Sequence, residues 1–415
     1  MQPDPLNRRS RDSLLLLFSA LGILGLTGRG IYLGVTALLP LNSASRTDLA
    51  SSLLGAFSMV FCAALLVPLL LLCVRRLKGQ EIPRLEIAPM RFRHLAELIG
   101  VWLVVLILGT VLNTISPYGA AIASPFFILG IALPIAGLVW VATGGLPLGS
   151  RRRAWSAFGI GLAGSTVGAL ILESLVAGAA ILVAMMATLF IPGLRSIVTQ
   201  VWNQVNSGMD MQSLLVSLAP TLNNPLVLLL ALLFASILAP LIEETLKPAA
   251  VWLLGKRLQS PAQGFALGAL CGAGFSMLEG MQAAGGMSQM LGIGIAARAT
   301  SSLMHITASA ILGWGIASAR LEGRYGRLAL AYLLSVGIHG LWNGSVVLTV
   351  FGALRMSVQG GTMDLPGILM ISAGIVVLGA MLLGILILLP FVNRRLRPAP
   401  QPAEPPAQSD IIAPL

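Results

Sequence analysis

Ionisable residues stand where they are rarest in this sequence, inside long apolar runs. Glu243, Glu244 and Lys247 share one run, Glu279 lies in the next, Arg298 and His305 in a third, and His339 with Asn343 in a fourth. A charged side chain at mid-bilayer costs about 2.5–3.5 kcal/mol on insertion scales, so five of them cost roughly 12–17 kcal/mol before any pairing. That is tolerated where the charges pair or line a wet cavity, which makes the group a functional site by default. The chemistry these side chains offer is amide hydrolysis by activated water. A carboxylate in a low-dielectric site is a stronger base than in bulk solvent and can take a proton from water. Imidazole can share or return that proton. An amide such as Asn343, with backbone N–H groups, can hold the developing oxyanion.

Spacing aims these groups. Glu243 and Lys247 are four apart, as are Phe275 and Glu279, and His339 and Asn343, so each pair shares a helix face. Arg298 and His305 are seven apart, two turns along nearly the same face. Glu244 is rotated about 100° from Glu243, so one of the two enters the site while the other pairs with a neighbouring cation. At about 1.5 Å per residue, counted from the basic end of each run, the polar groups fall roughly 16 to 25 Å deep. Four successive helices therefore carry polar groups to one layer near the bilayer centre. Pro240 and Pro248 bracket the Glu pair, and Pro240 deprives the Ser236 carbonyl of its helical donor. Broken backbone at that depth is tolerated where it is buried or lines water, which predicts a cavity there.

Catalytic roles are expected for Glu243, Glu244, His305, His339 and Asn343, with Lys247 and Arg298 as structural charge partners. The Glu pair with Lys247 also reads as a structural ion cluster, and Asn343 as helix–helix glue. A metal-dependent route stands beside a metal-free one. His305 and His339 with Glu279, or with one of the Glu243/Glu244 pair, make a His₂Glu set with an open water position, as catalytic zinc uses. Glu243, Glu244 and Glu279 outnumber Lys247 and Arg298 by three to two, barely enough for a divalent ion. No compact H-E-x-x-H motif supports the metal, and no G-x-S-x-G marks a serine enzyme. The three cysteines, Cys62, Cys73 and Cys271, form no C-x-x-C pair, which excludes a zinc knuckle and a redox motif. Glu173 and Arg29, also in apolar runs, are expected to snorkel or pair.

The elements that must position these residues are membrane spans. Of 415 residues 56% are hydrophobic and only 10% charged, against about 25% charged in an ordinary soluble domain. The fold class is all-α, a polytopic transmembrane helix bundle. Its ten expected spans lie near 13–39, 51–74, 95–116, 121–144, 160–190, 225–254, 262–284, 291–319, 328–351 and 366–392. With the N-terminus on the cytoplasmic side, 20 of the 26 Lys and Arg fall in cytoplasmic segments, three in outer loops and three within spans. That asymmetry alternates correctly through all ten spans and puts both termini in the cytoplasm. The net charge of +11 is then orientation chemistry, and no nucleic-acid partner is expected; the partner is the lipid bilayer. The opening run reads as a signal anchor, because apolar character continues to Leu39 with no clear A-x-A site after it.

By chemistry the chain divides into a cytoplasmic N-terminus (1–12), a five-span region of unassigned role (13–190) and an outer segment (191–224). A four-span polar core (225–352), a last span (366–392) and a disordered cytoplasmic tail (393–415) follow. The outer segment reads as two short amphipathic helices, serving as a connector or a lid.

Four motifs stand in order on the four polar spans. They are E-E-x-x-K at Glu243–Lys247, F-x-x-x-E at Phe275–Glu279, H-x-x-x-S-x-x-x-G from His305 to Gly313, and H-x-x-W-N at His339–Asn343. Over about 240–345 the sequence resembles the PrsW family of intramembrane proteases, with the CAAX prenyl proteases and their bacterial relatives a more distant likeness. Ser309 stands where the family pattern suggests Thr, which keeps a hydroxyl. The CAAX branch ends its second motif in His, where this chain has Glu279. The resemblance implies a peptidase of the bacterial cytoplasmic membrane, hydrolysing membrane-bound proteins such as an anti-sigma factor, or small membrane proteins and peptides. The CAAX likeness implies the metal-free route. Two other classes fit the mid-bilayer charges: a proton- or ion-coupled transporter, and a non-catalytic scaffold built on the same core. The lack of an inverted repeat counts against the transporter.

Overall fold

The computed structural model describes residues 5–38, 46–115, 119–187, 224–284, 291–358 and 364–398, with isolated positions between 195 and 206. Among the described residues ten helices are long and apolar enough to cross a membrane. They are span 1 (Arg9–Ala37), span 2 (Ser51–Leu77), span 3 (Phe92–Ile115), span 4 (Ala121–Thr143) and span 5 (Arg151–Val183). Span 6 (Pro225–Leu254), span 7 (Pro261–Ala283), span 8 (Gly294–Glu322), span 9 (Tyr325–Met356) and span 10 (Leu365–Leu396) complete the bundle. Among the described residues the one β-type pairing is an isolated antiparallel bridge between Arg84 and Ser150. The segment 191–224, expected to be amphipathic and on the outer side, lies almost wholly outside the described residues, as does the tail beyond Pro398.

The expected count of ten spans holds, and one boundary differs instructively. Span 5 begins at Arg151 instead of near 160, so the basic triplet Arg151–Arg153 forms its first turn. Ser150 caps that turn, its Oγ accepting from the Arg153 N–H at 3.3 Å. Cations at a helix N-terminus oppose the helix dipole, and partners offset this. Arg152 pairs with Asp12 of span 1 at 2.7 Å, and Arg153 donates to Gln263 of span 7 at 3.1 Å. Asn393 of span 10 donates to the Ala142 and Gly144 carbonyls at the end of span 4. Such contacts gather the basic ends of the spans on one side.

Spans 7 and 8 form the centre. Of their apolar stretches 94% and 89% are buried, against 11% in spans 1, 3, 5, 6 and 10. One face of span 7 carries Gly264, Gly268 and Gly272. A methyl group at these positions would collide with the carbonyls of Gly313, Ser309 and His305 respectively. Small residues let the two backbones meet, as in other membrane helix pairs. The third motif therefore has a packing component, since the residues four and eight after His305 lie beneath these glycines.

Span 6 is interrupted twice. It is π-helical over Phe234–Leu238, just before Pro240, and it breaks between Leu246 and Ala249 at Pro248. Neighbouring helices meet the freed carbonyls. Asn343 Nδ2 of span 9 donates to the Ala235 carbonyl at 3.0 Å, and Gly340 packs on the Ser236 carbonyl where a Cβ would collide. At the lower break, Ser165 Oγ donates to the Leu246 carbonyl at 2.8 Å, with the Lys247 carbonyl at 3.3 Å. Ser165 ends a π-helical stretch of span 5, Ile160–Ser165. One irregular helix thus satisfies another, and both interruptions position the residues between them.

Candidate active site

The polar groups converge on Lys247. Its fully buried ammonium contacts Glu244 Oε1 at 2.7 Å, His305 Nδ1 at 2.8 Å and Glu243 Oε2 at 2.9 Å. Three polar atoms thus lie within 2.9 Å of this one cation. The Phe275 ring covers it, with its centroid 4.6 Å away. Spans 6, 7, 8 and 9, and with them all four motifs, meet at this one atom.

Each histidine has its own carboxylate. His339 Nδ1 lies 2.9 Å from Glu244 Oε1, and His305 Nε2 lies 2.9 Å from Glu279 Oε2. Placing each ring proton on the nitrogen that faces a carboxylate leaves His339 Nε2 and His305 Nδ1 unprotonated. Asn343 Nδ2 faces the first at 3.1 Å, and Lys247 faces the second. Arg298 contacts the same Glu279 Oε2 at 2.8 Å. Asn343 thereby directs its amide nitrogen at both the Ala235 carbonyl and His339, a tie between spans 6 and 9.

Glu243 and Glu244 separate as their rotation requires. Glu244 has no exposure and sits between Lys247 and His339, whereas Glu243 keeps 8% and brings Oε2 to 3.8 Å from His339 Nε2. Glu243, His305 and His339 each offer a ligand atom, and these atoms lie within 4.8 Å of one another. One carboxylate and two imidazoles are the donors of known catalytic metal sites, so the residues present fit a metal. Glu279 stands outside that group, engaged by Arg298 and His305. The Lys247 ammonium also touches all three donor side chains, His339 Nδ1 at 3.2 Å, so a second cation needs further negative charge.

Span 5 brings a further carboxyl group to this place. Glu173, half-buried, lies with its carboxyl group against that of Glu243. Four carboxyl groups then surround Lys247 and Arg298, not the three of the motifs. No motif points to Glu173; the one signal in the sequence is an acidic residue within an apolar run.

Membrane-spanning helices wrapped around a buried carboxylate–imidazole group have the layout of an intramembrane hydrolase. Residues 149–373 match the model of the PrsW family of intramembrane metalloproteases, and the chain belongs to that family. The match begins just before the cap of span 5 and so takes in Ser165 and Glu173 with the four motifs. No curated protein and no solved structure matches the chain. Family membership implies a peptidase that acts within a bilayer on membrane proteins or peptides.

Proposed function

We propose that this protein hydrolyses peptide bonds of membrane-embedded proteins or peptides, with Glu243 taking the proton from the attacking water. The division of labour among the carboxylates carries this reading. Glu244 and Glu279 each stand against a histidine at 2.9 Å, which leaves Glu243 as the motif carboxylate without one so close, its Oε2 3.8 Å from His339 Nε2. The proton passes to the leaving amine from Glu243 or through His339 Nε2. Lys247 fixes the Glu pair and adds positive charge beside the developing oxyanion. Arg298 keeps Glu279, and through it His305, in orientation.

In a metal-dependent form Glu243, His305 and His339 would hold the ion, and zinc suits this donor set. When bound, such an ion supplies Lewis acidity to water and to the scissile carbonyl. Glu173 is then the neighbouring carboxyl group left to handle the proton. A cavity of about 1,020 Å³ between spans 1, 2, 5 and 7 is lined on span 7 by Leu278, Met281 and Gln282, on the face adjoining Glu279, and offers a substrate segment a lateral approach. Arg29 lines the same cavity. Family likeness suggests a bacterial cytoplasmic membrane, and the charge asymmetry supports the basic side facing the cytoplasm.

Cleavage of membrane peptides by the purified chain in liposomes tests the reading. Glu243→Gln is expected to insert and fold yet lose cleavage, because Gln keeps the shape but cannot take the proton. A Glu243→Gln variant that cleaves at the wild-type rate removes Glu243 from the mechanism. Proton or solute flux without cleavage by the wild type would establish the transporter instead. Elemental analysis with 1,10-phenanthroline and zinc add-back separates the two forms of the mechanism.

A further inference from the structure

A second cavity, of about 480 Å³, opens on the basic side between spans 3, 4, 8 and 10. That lies within the roughly 300–1,000 Å³ of small-molecule sites. Its wall is apolar, with Trp102, Leu138, Leu303 and Leu386, and Arg91, Arg394 and Arg397 stand at one end. None of the described ion pairs includes any of these three arginines. Arg397 is nevertheless held in place. Asn393 Oδ1 accepts from its Nε at 3.0 Å and from a terminal N–H at 2.7 Å, while Asn393 itself is anchored to the Ala142 and Gly144 carbonyls. A fixed guanidinium without a carboxylate, flanked by two more, therefore caps an apolar groove running from the membrane surface towards the middle of span 8.

We propose that this groove binds an anionic glycerophospholipid from the leaflet on the basic side. The phosphate lies at Arg91, Arg394 and Arg397, and an acyl chain follows Leu138 and Leu386 to Leu303. Guanidinium forks match phosphate oxygens with charge-assisted hydrogen bonds. A zwitterionic headgroup brings a cation of its own towards three arginines that have no ion-pair partner among the described residues, so the site selects net-negative lipids. The inner end of the groove abuts span 8 at Thr300 and Leu303, on the helix that carries Arg298 and His305. The proposal stands whether or not the protein is a peptidase, because its test reads binding alone.

The full chain, purified in detergent, is titrated with phosphatidylglycerol or with phosphatidylcholine of the same acyl composition, and bound lipid is counted by native mass spectrometry. The expected result is one retained phosphatidylglycerol in clear preference to phosphatidylcholine. At about fivefold per surface cation, Arg91→Gln/Arg394→Gln should bind phosphatidylglycerol about 30-fold more weakly. Leu386→Trp, at an exposed position on the groove wall, should also weaken binding while leaving every arginine in place. Equal retention of the two lipids, or unchanged binding in the double variant, overturns the proposal. Binding that falls in the double variant yet is untouched by Leu386→Trp overturns the groove as the site, leaving only a basic surface.

Discussion

Span 10 is the greasier helix and span 7 the buried one. Span 10 runs through Ile-Val-Val-Leu and Ile-Leu-Ile-Leu-Leu, yet only 11% of its apolar stretch is buried; span 7, broken up by glycines, Ser276 and Glu279, reaches 94%. In water the more hydrophobic segment would go inside. In a bilayer the lipid tails are as apolar as leucine, so hydrophobicity alone gives a span no reason to be central. Close backbone approach and polar pairing decide instead. Gly268 of span 7 abuts the Ser309 carbonyl, whereas Gly379 and Gly384 of span 10 have nothing within 4 Å of an added Cβ.

The contrast predicts a steep gradient of mutational cost from the centre to the rim. The largest effect belongs to Lys247→Met, which strands a buried cluster of carboxylates and should cost about 3–5 kcal/mol, read as a lower melting temperature and yield. Arg395→Met at the rim should stay within about 0.5 kcal/mol. Equal losses in the two would break the comparison. Next comes Gly268→Leu, expected to cost about 3 kcal/mol by forcing spans 7 and 8 apart, against little or nothing for Gly384→Leu. Detergent unfolding of the two variants side by side measures the difference. Asn343→Ala is a milder probe, at about 1–2 kcal/mol, because it leaves the Ala235 carbonyl without its donor. The mildest intervention leaves stability unchanged and reports orientation. Single cysteines at 200–220 should react with a membrane-impermeant thiol reagent from outside, and those at 83–90, 150 or 322 should not. Outside labelling at 150 or 322 would invert the bundle.

The spans were legible because ten apolar runs exceed the length that crosses a bilayer, and the site because its charges sit inside four of them. Helical spacing also separated Glu243 from Glu244. It did not say which would hold a histidine; that follows from where Lys247 and His339 come to rest. Ser165 and Glu173 were not legible as partners of the site, since their contacts, Leu246 and Glu243, lie in the next span across a long connection. A single hydroxyl in an apolar run looks the same whether it bonds its own helix or caps another. The 264–268–272 glycine spacing is written in the chain, but the carbonyls it accommodates belong to span 8.

The two interruptions of span 6 also bear on how the protein is made. Ribosomes deliver span 5 first, so the Ser165 hydroxyl is already in the membrane when the break at Pro248 arrives. The upper interruption has to wait. Its amide donor, Asn343, is synthesised 108 residues after the Ala235 carbonyl it satisfies. Until then that carbonyl needs water or the insertion machinery, which favours a nascent chain that stays beside its translocon until span 9 enters. The same late helix brings His339. A half-made chain therefore lacks both the tie that steadies span 6 and the imidazole that pairs with Glu244.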